Sequence, residues 1–409
     1  MMLHQLPTSP QALFKSLLSG FLLILCLLLS ACSLPQVSAE ERLFLDLSLT
    51  LLGEYRLPAK TMIDETRVGG LSAIAYDRQR DRFYVVSDDR SEFAPARFYT
   101  LKLSLTTAPE PLGIKSIDFE KVTLLKNRDQ VFYPKGSIDP EGLALSPRRS
   151  LFISSEGAAR AGIPPFIDEF DLETGQWQSQ LPIPTRFIPQ TVDGQLQGVQ
   201  DNLSFEALTI NPTGSTPNQI EPFRLFAATE APLEQDKLDP DKAEPNQPNQ
   251  EPSTPDSPNA SDRIRFLHYL VGDPTPTLLS EHLYLIEPPP EWALAQGLTE
   301  ILSLDQAGHF LSLERSYGLK GFNARIFQLA TGGATDISGV RSLKGDLSGL
   351  APIRKQLVLD LAELNIPLDN LEGMTLGPRL PDGSQSLLLV SDDNFSDTQV
   401  TQFLLFRLQ

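Results

Sequence analysis

Acidic residues recur at matching points of one repeated pattern. The chain carries GGLSAIAYDRQRDRFYVVSDD from Gly69, EGLALSPRRSLFISSEG from Glu141, EALTINPTGSTPNQIEPFRLFAATE from Glu206, EILSLDQAGHFLSLERSYG from Glu300 and EGMTLGPRLPDGSQSLLLVSDDN from Glu372. The starts supply Glu141, Glu206, Glu300 and Glu372, and the ends supply Asp88, Asp89, Glu156, Glu230, Glu314, Asp392 and Asp393. Carboxylates gathered without cysteine or clustered histidine are the hard oxygen donors that hold Ca²⁺ or Mg²⁺. Left without a cation they repel one another and keep their protons to higher pH. Arg97, Arg265 and Arg325, Arg315 beside Glu314, and Lys135 ahead of Glu141 are the basic residues that could compensate them instead. Two plainer roles compete: a carboxylate at a strand end can simply accept backbone N–H bonds, and an arginine can clasp a carboxylate of a neighbouring element.

The elements that would position these groups are β-strands. Each repeat alternates apolar and polar residues with period two and breaks only at Gly, Pro, Asp and Arg turns, which reads as a β-hairpin. Further strand candidates follow: ARFYTLKL and SIDFEKVTLL after the first hairpin, FIDEFDLE and WQSQLPIP after the second, RIRFLHYLV and HLYLIEP after the third, ARIFQLA and QLVLDL after the fourth. The fifth is followed only by TQFLLFRL, so its fourth strand is expected from LTLLGEYRLP near the N-terminus. The expected fold is all-β: a propeller of five four-stranded blades closed by the N-terminal strand, so that no sheet edge stays open. Six blades is the alternative, with extra strands in Arg186 to Asn202 or Thr331 to Leu350; a pair of open sandwiches fits the repeat less well. In a propeller both ends of each first hairpin meet at one mouth of the central channel, which predicts that the acids form a ring.

Outside the repeats, residues 1–31 read as a lipoprotein signal peptide. Lys15 precedes the apolar run Gly20 to Leu29, too short to span a bilayer, and Leu29, Ser30, Ala31 and Cys32 resemble a lipobox with Cys32 as the lipidated residue. Residues 32–42 are expected to be a tether and 43–409 a single domain. Cys26 falls inside the discarded segment, so no disulfide framework remains. Ser33 after Cys32 favours the outer membrane slightly, with the body on the periplasmic side. A Pro-, Asn- and Asp-rich insert at about 233–262 is too poor in apolar residues to offset its ordering entropy and is expected to be disordered. The formal charge of −18 argues against nucleic acid or an anionic membrane surface as partner. The expected partners are a membrane, through the lipid only, and a small phosphate or carboxylic ester, with the chain monomeric. No Gly-x-Ser-x-Gly elbow occurs, and only His268, His282 and His309 follow Cys32, which argues against a Ser/His/Asp hydrolase. His268, sharing a strand face with Ile264, Phe266 and Leu270, reads as a packed histidine.

The combination of GGLSAIAYD with VVSDD, DPEGLAL with FISSEG, SFEALTINP with LFAATE, LERSYG, and NLEGMTLG with LLLVSDDN resembles the phytase-like family described by esterase-like activity. The resemblance runs from about residue 49 to 409 apart from the insert. It implies a secreted propeller, a Ca²⁺ requirement and hydrolysis of phosphate or other esters. It marks Glu141, Glu156, Glu206, Glu230, Glu314, Glu372, Asp392 and Asp393 as the matching acidic positions. The Asp-Asp-Pro-Ala type signature of similar propeller phytases is missing, which separates the chain from phytate hydrolysis itself. Two functions follow as expectations. The first is a metal-dependent ester or phosphoester hydrolase, with one or two Ca²⁺ in the carboxylate ring and Glu141, Glu372, Arg325 and Arg97 as catalytic candidates. The second is a non-catalytic cell-envelope binding or scaffold module.

Overall fold

The computed structural model describes residues 43–106, 109–211, 221–238, 262–272 and 275–409. The chain divides into Met1–Phe44 and Leu45–Gln409, and the description below concerns the second unit. Residues 1–42, on which the expected signal peptide, Cys32 and the expected tether fall, lie outside the described residues, as do 239–261 of the expected insert.

Five four-stranded antiparallel sheets follow one another along the chain. Blade I comprises Leu71–Asp77, Arg82–Ser87, Arg97–Leu105 and Ile114–Leu124; blade II comprises Pro140–Leu145, Ser150–Ser155, Phe166–Asp171 and Trp177–Gln180. Blade III comprises Phe205–Ile210, Phe223–Thr229, Arg263–Val271 and Thr277–Leu285; blade IV comprises Ala293–Ser303, His309–Gly318, Gly321–Ala330 and Arg354–Asp360. Blade V is built from Asn370–Arg379, Gln385–Asp392 and Gln402–Leu408, and its outer strand is Leu49–Arg56. Leu49 pairs with Leu408 and Arg56 with Gln402, which closes the circle by joining the two ends of the unit in one sheet. The five first strands neighbour one another in ring order, blade V returning to blade I.

The strands form where the alternation places β-branched and aromatic residues on a pleated, buried surface. One hydrophobic cluster fills each of the five junctions between neighbouring blades. Phe152, Phe187 and Phe205 lie between II and III, and Phe83, Val85 and Phe403 between V and I. Phe98 and Ile153 lie between I and II, Phe266 and Phe310 between III and IV, and Leu313 and Phe406 between IV and V. Fully burying a side chain of this size contributes about 1.5–3 kcal/mol, so the interfaces between blades hold the ring closed.

The structure settles the blade count at five. Within Arg186 to Asn202 only a short hairpin forms, Gln190–Val192 against Gln195–Gln197, and 331–353 contributes no strand. The insert begins later than the sequence indicates: Leu233 and Asp236 are buried, because the Asp236 carboxylate receives Arg265 Nε at 2.7 Å and the backbone N–H of Leu343 at 2.7 Å. Among the described residues, no helix is long and apolar enough to cross a membrane.

Candidate functional site

Strand register fixes which side chains reach the mouth where first strands begin and second strands end. Every first strand has a β-bulge just inside this mouth, where the register jumps from Leu71 to Ala73, Pro140 to Leu143, Phe205 to Ala207, Leu298 to Glu300 and Leu371 to Gly373. A bulge turns its extra residue out of the ladder and re-aims its side chain. The residues so placed are Ser72, Glu141, Glu206, Thr299 and Glu372. Facing them at the ends of the second strands stand Asp88, Glu156, Glu230, Arg315 and Asp392, each beside the residue two before the bulge: Asp88 N–H donates to Gly70, Glu156 N–H to Asp139 and Glu230 N–H to Ser204, while Arg315 pairs with Gly297 and Asp392 with Asn370.

The mouth therefore gathers Asp88, Asp139, Glu141, Glu156, Glu206, Glu230, Glu372 and Asp392. Oxygens of Asp139, Glu141 and Glu156 lie within 4.8 Å of one another, as do those of Glu156, Glu206 and Glu230. Glu156 belongs to both groups. Burial, reinforced by neighbouring carboxylates, pushes Asp88, Glu141, Glu156 and Glu206 well above the usual carboxylate range. The same cause carries Glu372 to about 8, Asp392 to about 7 and Asp139 to about 6. Glu230 is raised by burial too, but Arg315 and a hydrogen bond shared with Glu206 oppose the rise.

Two arginines and a few neutral groups offset part of this charge. Arg315 Nη2 stands 2.7 Å from Glu230 Oε1 and 3.8 Å from Glu372 Oε1. Arg90 grips both oxygens of Asp139 at 2.7 and 2.6 Å and also bonds Asn202. Asn370 Nδ2 donates to Glu372 Oε1 at 2.7 Å and Asp392 Oδ2 at 3.3 Å, and Ser204 N–H donates to Glu156. Asp88 Oδ1 and Glu206 Oε2 are buried and make no hydrogen bond among the described residues. Two oxygens on one Ca²⁺ are at most about 5 Å apart, given bonds of about 2.3–2.6 Å. The two carboxylate groups fit that ion in size and donor type, and the orphaned oxygens are acceptors that a cation would satisfy.

Several sequence-predicted residues lie elsewhere. Glu300 and Glu314 do not join the cluster. Leu298 pairs with Glu314 and Glu300 with Leu313, so Glu300 sits one place deeper than Glu141, and Glu314 takes the position of Ser87, Ser155, Thr229 and Ser391. A one-residue slip sends a side chain to the other face of its strand. Glu300 accepts backbone N–H bonds from Ile301 at 2.9 Å and Leu208 at 3.3 Å. Glu314 turns toward Tyr284 at 2.7 Å and Lys355 at 2.6 Å.

Asp89 and Asp393 fix loops. Asp89 accepts N–H bonds from Glu92, Phe93 and Ala94, and Asp393 accepts from Gly70 and Phe395. Arg97 is fully buried against Asp89 at 2.6 Å and Tyr99, so it is a clasp rather than a catalytic group. Arg265 repeats the device with Asp236 and Glu281. Arg325 lies beside Glu314 at 3.6 Å and the Pro288 carbonyl, again outside the cluster. Lys135 pairs with Glu92 at 2.5 Å. His268 stacks on Phe226 at 4.5 Å, and burial lowers its pKa to about 4, as its packed position requires.

Sequence reasoning missed Asp139, Arg90, Asn370 and Ser204. A signal for three of them exists: Asp139-Pro-Glu141, Ser204-Phe-Glu206 and Asn370-Leu-Glu372 repeat a polar-x-Glu spacing. Nothing comparable marks Arg90, which reaches Asp139 from the loop after Ser87.

A five-bladed propeller closed by its N-terminal strand, with carboxylates gathered at one mouth, defines the architectural class. The model of the family described as phytase-like, esterase-like activity of phytase, matches residues 66–395, and the chain belongs to that family. No curated protein sequence matches it. Among solved structures it is similar to the catalytic domain of a GH62 α-L-arabinofuranosidase of Coprinopsis cinerea, at 9% identity over 88% of this chain and 96% of that one, with a TM-score of 0.37. It is also similar to the Dos1 propeller, at 7% identity over 88% and 95% with a TM-score of 0.29. A third is the Cps50 (Swd1) β-propeller domain of Myceliophteria thermophila, at 9% identity over 83% and 97% with a TM-score of 0.31. At these values the superpositions assign no residue at the site.

Proposed function

We propose that the acidic mouth is the site of a divalent-cation-dependent ester hydrolase, with phosphate esters as the favoured class. The observation that carries this reading is the pair of carboxylate groups sharing Glu156, whose oxygens lie within 4.8 Å in each group. Asp139, Glu141 and Glu156 would hold one Ca²⁺, and Glu156, Glu206 and Glu230 a second. A bound Ca²⁺ supplies Lewis-acid polarisation of an ester oxygen and a more acidic bound water.

The chain's own residues supply the rest. Asp88 and Glu141, partly exposed where the other acids are buried, mark the side from which substrate enters. Arg90, also partly exposed and next to them, places a cation beside the position of a substrate phosphoryl group. Arg315 holds Glu230 and Glu372 in place from the opposite side. These two replace Arg97 and Arg325 as the arginines relevant to chemistry. Glu372, with its pKa pushed up to about 8, is poised to exchange a proton near neutral pH. We further propose that the body is exported and held to a membrane by lipid on Cys32.

Removing metal with EDTA, restoring Ca²⁺ and following one generic phosphate ester and one generic carboxylic ester tests the hydrolase reading. Ca²⁺-restored turnover that Glu141→Gln and Glu156→Gln each reduce at least a hundredfold is the expected result. Turnover indifferent to EDTA, or none of either ester at any Ca²⁺ concentration, would sink it. A non-catalytic binding module is the second reading, favoured by the extent to which Arg315, Arg90 and backbone N–H groups already compensate the acids.

A further inference from the structure

The opposite mouth of the channel carries the opposite charge. A concavity of about 780 Å³ opens there among the turns that join first to second strands, a volume typical of small-molecule sites. Its floor is apolar, formed by Ile74, Leu208 and Met374, while Arg78, Arg80, Arg149 and Arg379 line its rim. Three of the five turns supply these guanidinium groups, in DRQRDR, SPRRS and GPRLPDG, within a chain whose formal charge is −18.

Of the four, only Arg80 has a close carboxylate partner among the described residues. Asp77 is buried and committed to Arg80 at 2.7 Å and to the Gln79 N–H at 2.8 Å. Arg149 meets Glu173 only at 3.6 Å, with both side chains more than half exposed, a contact worth little in water. Arg379 donates to the Gly383 carbonyl, which leaves its charge uncompensated, and Arg78 pairs with no carboxylate among the described residues. The Glu300 carboxyl also lines the concavity, buried and tied to backbone N–H groups. Burial pushes its pKa well above the usual carboxylate range, which disfavours a negative charge on the floor.

We propose that this mouth binds a small amphiphilic anion, an acidic head group on a short aliphatic body. The head would meet the rim arginines, whose planar forks suit carboxylate and phosphate oxygens. The aliphatic part would cover the floor, where each CH₂ removed from water contributes about 0.8 kcal/mol. The site is separate from the acidic mouth and does not depend on its chemistry.

The test is a calorimetric titration of the full chain in EDTA with decanoate below its micelle concentration, with decylamine and acetate as the charge-reversed and tail-less probes. Saturable decanoate binding is expected, with decylamine and acetate each at least tenfold weaker. The exposed pair Arg78→Glu and Arg379→Glu should weaken decanoate at least tenfold while leaving the thermal midpoint unchanged, and Arg149→Glu alone should act in the same direction. Absence of saturable decanoate binding, decylamine binding as tight as decanoate, or unaltered affinity in folded variants would overturn the proposal.

Discussion

Blade IV and the other four blades place different chemistry at the same strand positions. Blades II, III and V each put a glutamate in the bulge and an acid at the end of the second strand, and blade I puts Ser72 opposite Asp88. Blade IV puts Thr299 in the bulge and Arg315 opposite it. Its two glutamates sit one residue away, where Glu300 is held by backbone N–H groups and Glu314 by Tyr284 and Lys355. The mouth is therefore lopsided. Its carboxylates near blades II and III are close enough to share cations, and those near blades IV and V are gathered around a guanidinium. An unbroken ring of like charges would need a cation at every junction; Arg315 stabilises one side of the ring, and on the other Arg90 meets Asp139 alone.

The largest effect expected from breaking this asymmetry is at Arg315. Arg315→Gln leaves Glu230 and Glu372 buried without their counter-charge and should cost about 3–5 kcal/mol at pH 8. At pH 5, where Glu372, titrating near 8, holds its proton, the cost should fall to less than half, as read from urea unfolding at the two pH values. Asp89→Ala gives the contrasting case. It strands Arg97 in a fully buried clasp, with a loss of about the same size that changes little between pH 5 and 8 and leaves Ca²⁺ affinity alone.

Next in size is the response of the metal-free protein to pH. Glu372 near 8 and Asp392 near 7 stand above their unfolded values of 4.5 and 3.8. The folded chain therefore holds more protons than the unfolded chain between those limits, and stability falls as pH rises through the window. The thermal midpoint in EDTA should drop by on the order of 5 °C from pH 5 to pH 8, and saturating Ca²⁺ should reverse the drop at pH 8. A midpoint that rises over this range would contradict the shifts. The smallest effect belongs to Glu300→Gln. Burial there favours the neutral carboxyl and backbone N–H groups bond it, so urea unfolding should register a change under about 1.5 kcal/mol with no effect on Ca²⁺ binding. A large loss of Ca²⁺ affinity would return Glu300 to the ring.

Much of this was legible in the sequence because period-two alternation and turn residues encode hairpins directly. The five hairpins, the closure by LTLLGEYRLP and the outer strand at QLVLDL all form as the pattern implies. The acids of blades II, III and V were legible because Glu141, Glu206 and Glu372 open their motifs. Blade IV was misplaced because Glu300 and Glu314 imitate that motif in letters while the bulge after Leu298 shifts both out of phase. Bulge position depends on packing against neighbouring blades, which no single segment reveals. The arginines were harder still. Arg97, Arg265 and Arg325 share a strand position and all turn into clasps, whereas Arg90 reaches the mouth only because its loop folds across to Asp139.

The most direct test of the account is a calorimetric Ca²⁺ titration of the metal-stripped chain and of Glu156→Gln at pH 8. Glu156 is the residue common to both carboxylate groups. The account predicts saturable binding that this one substitution weakens at least tenfold at every site, while the Glu314→Gln control binds as the parent does. Binding that survives Glu156→Gln, or that is lost instead in Glu314→Gln, would contradict it.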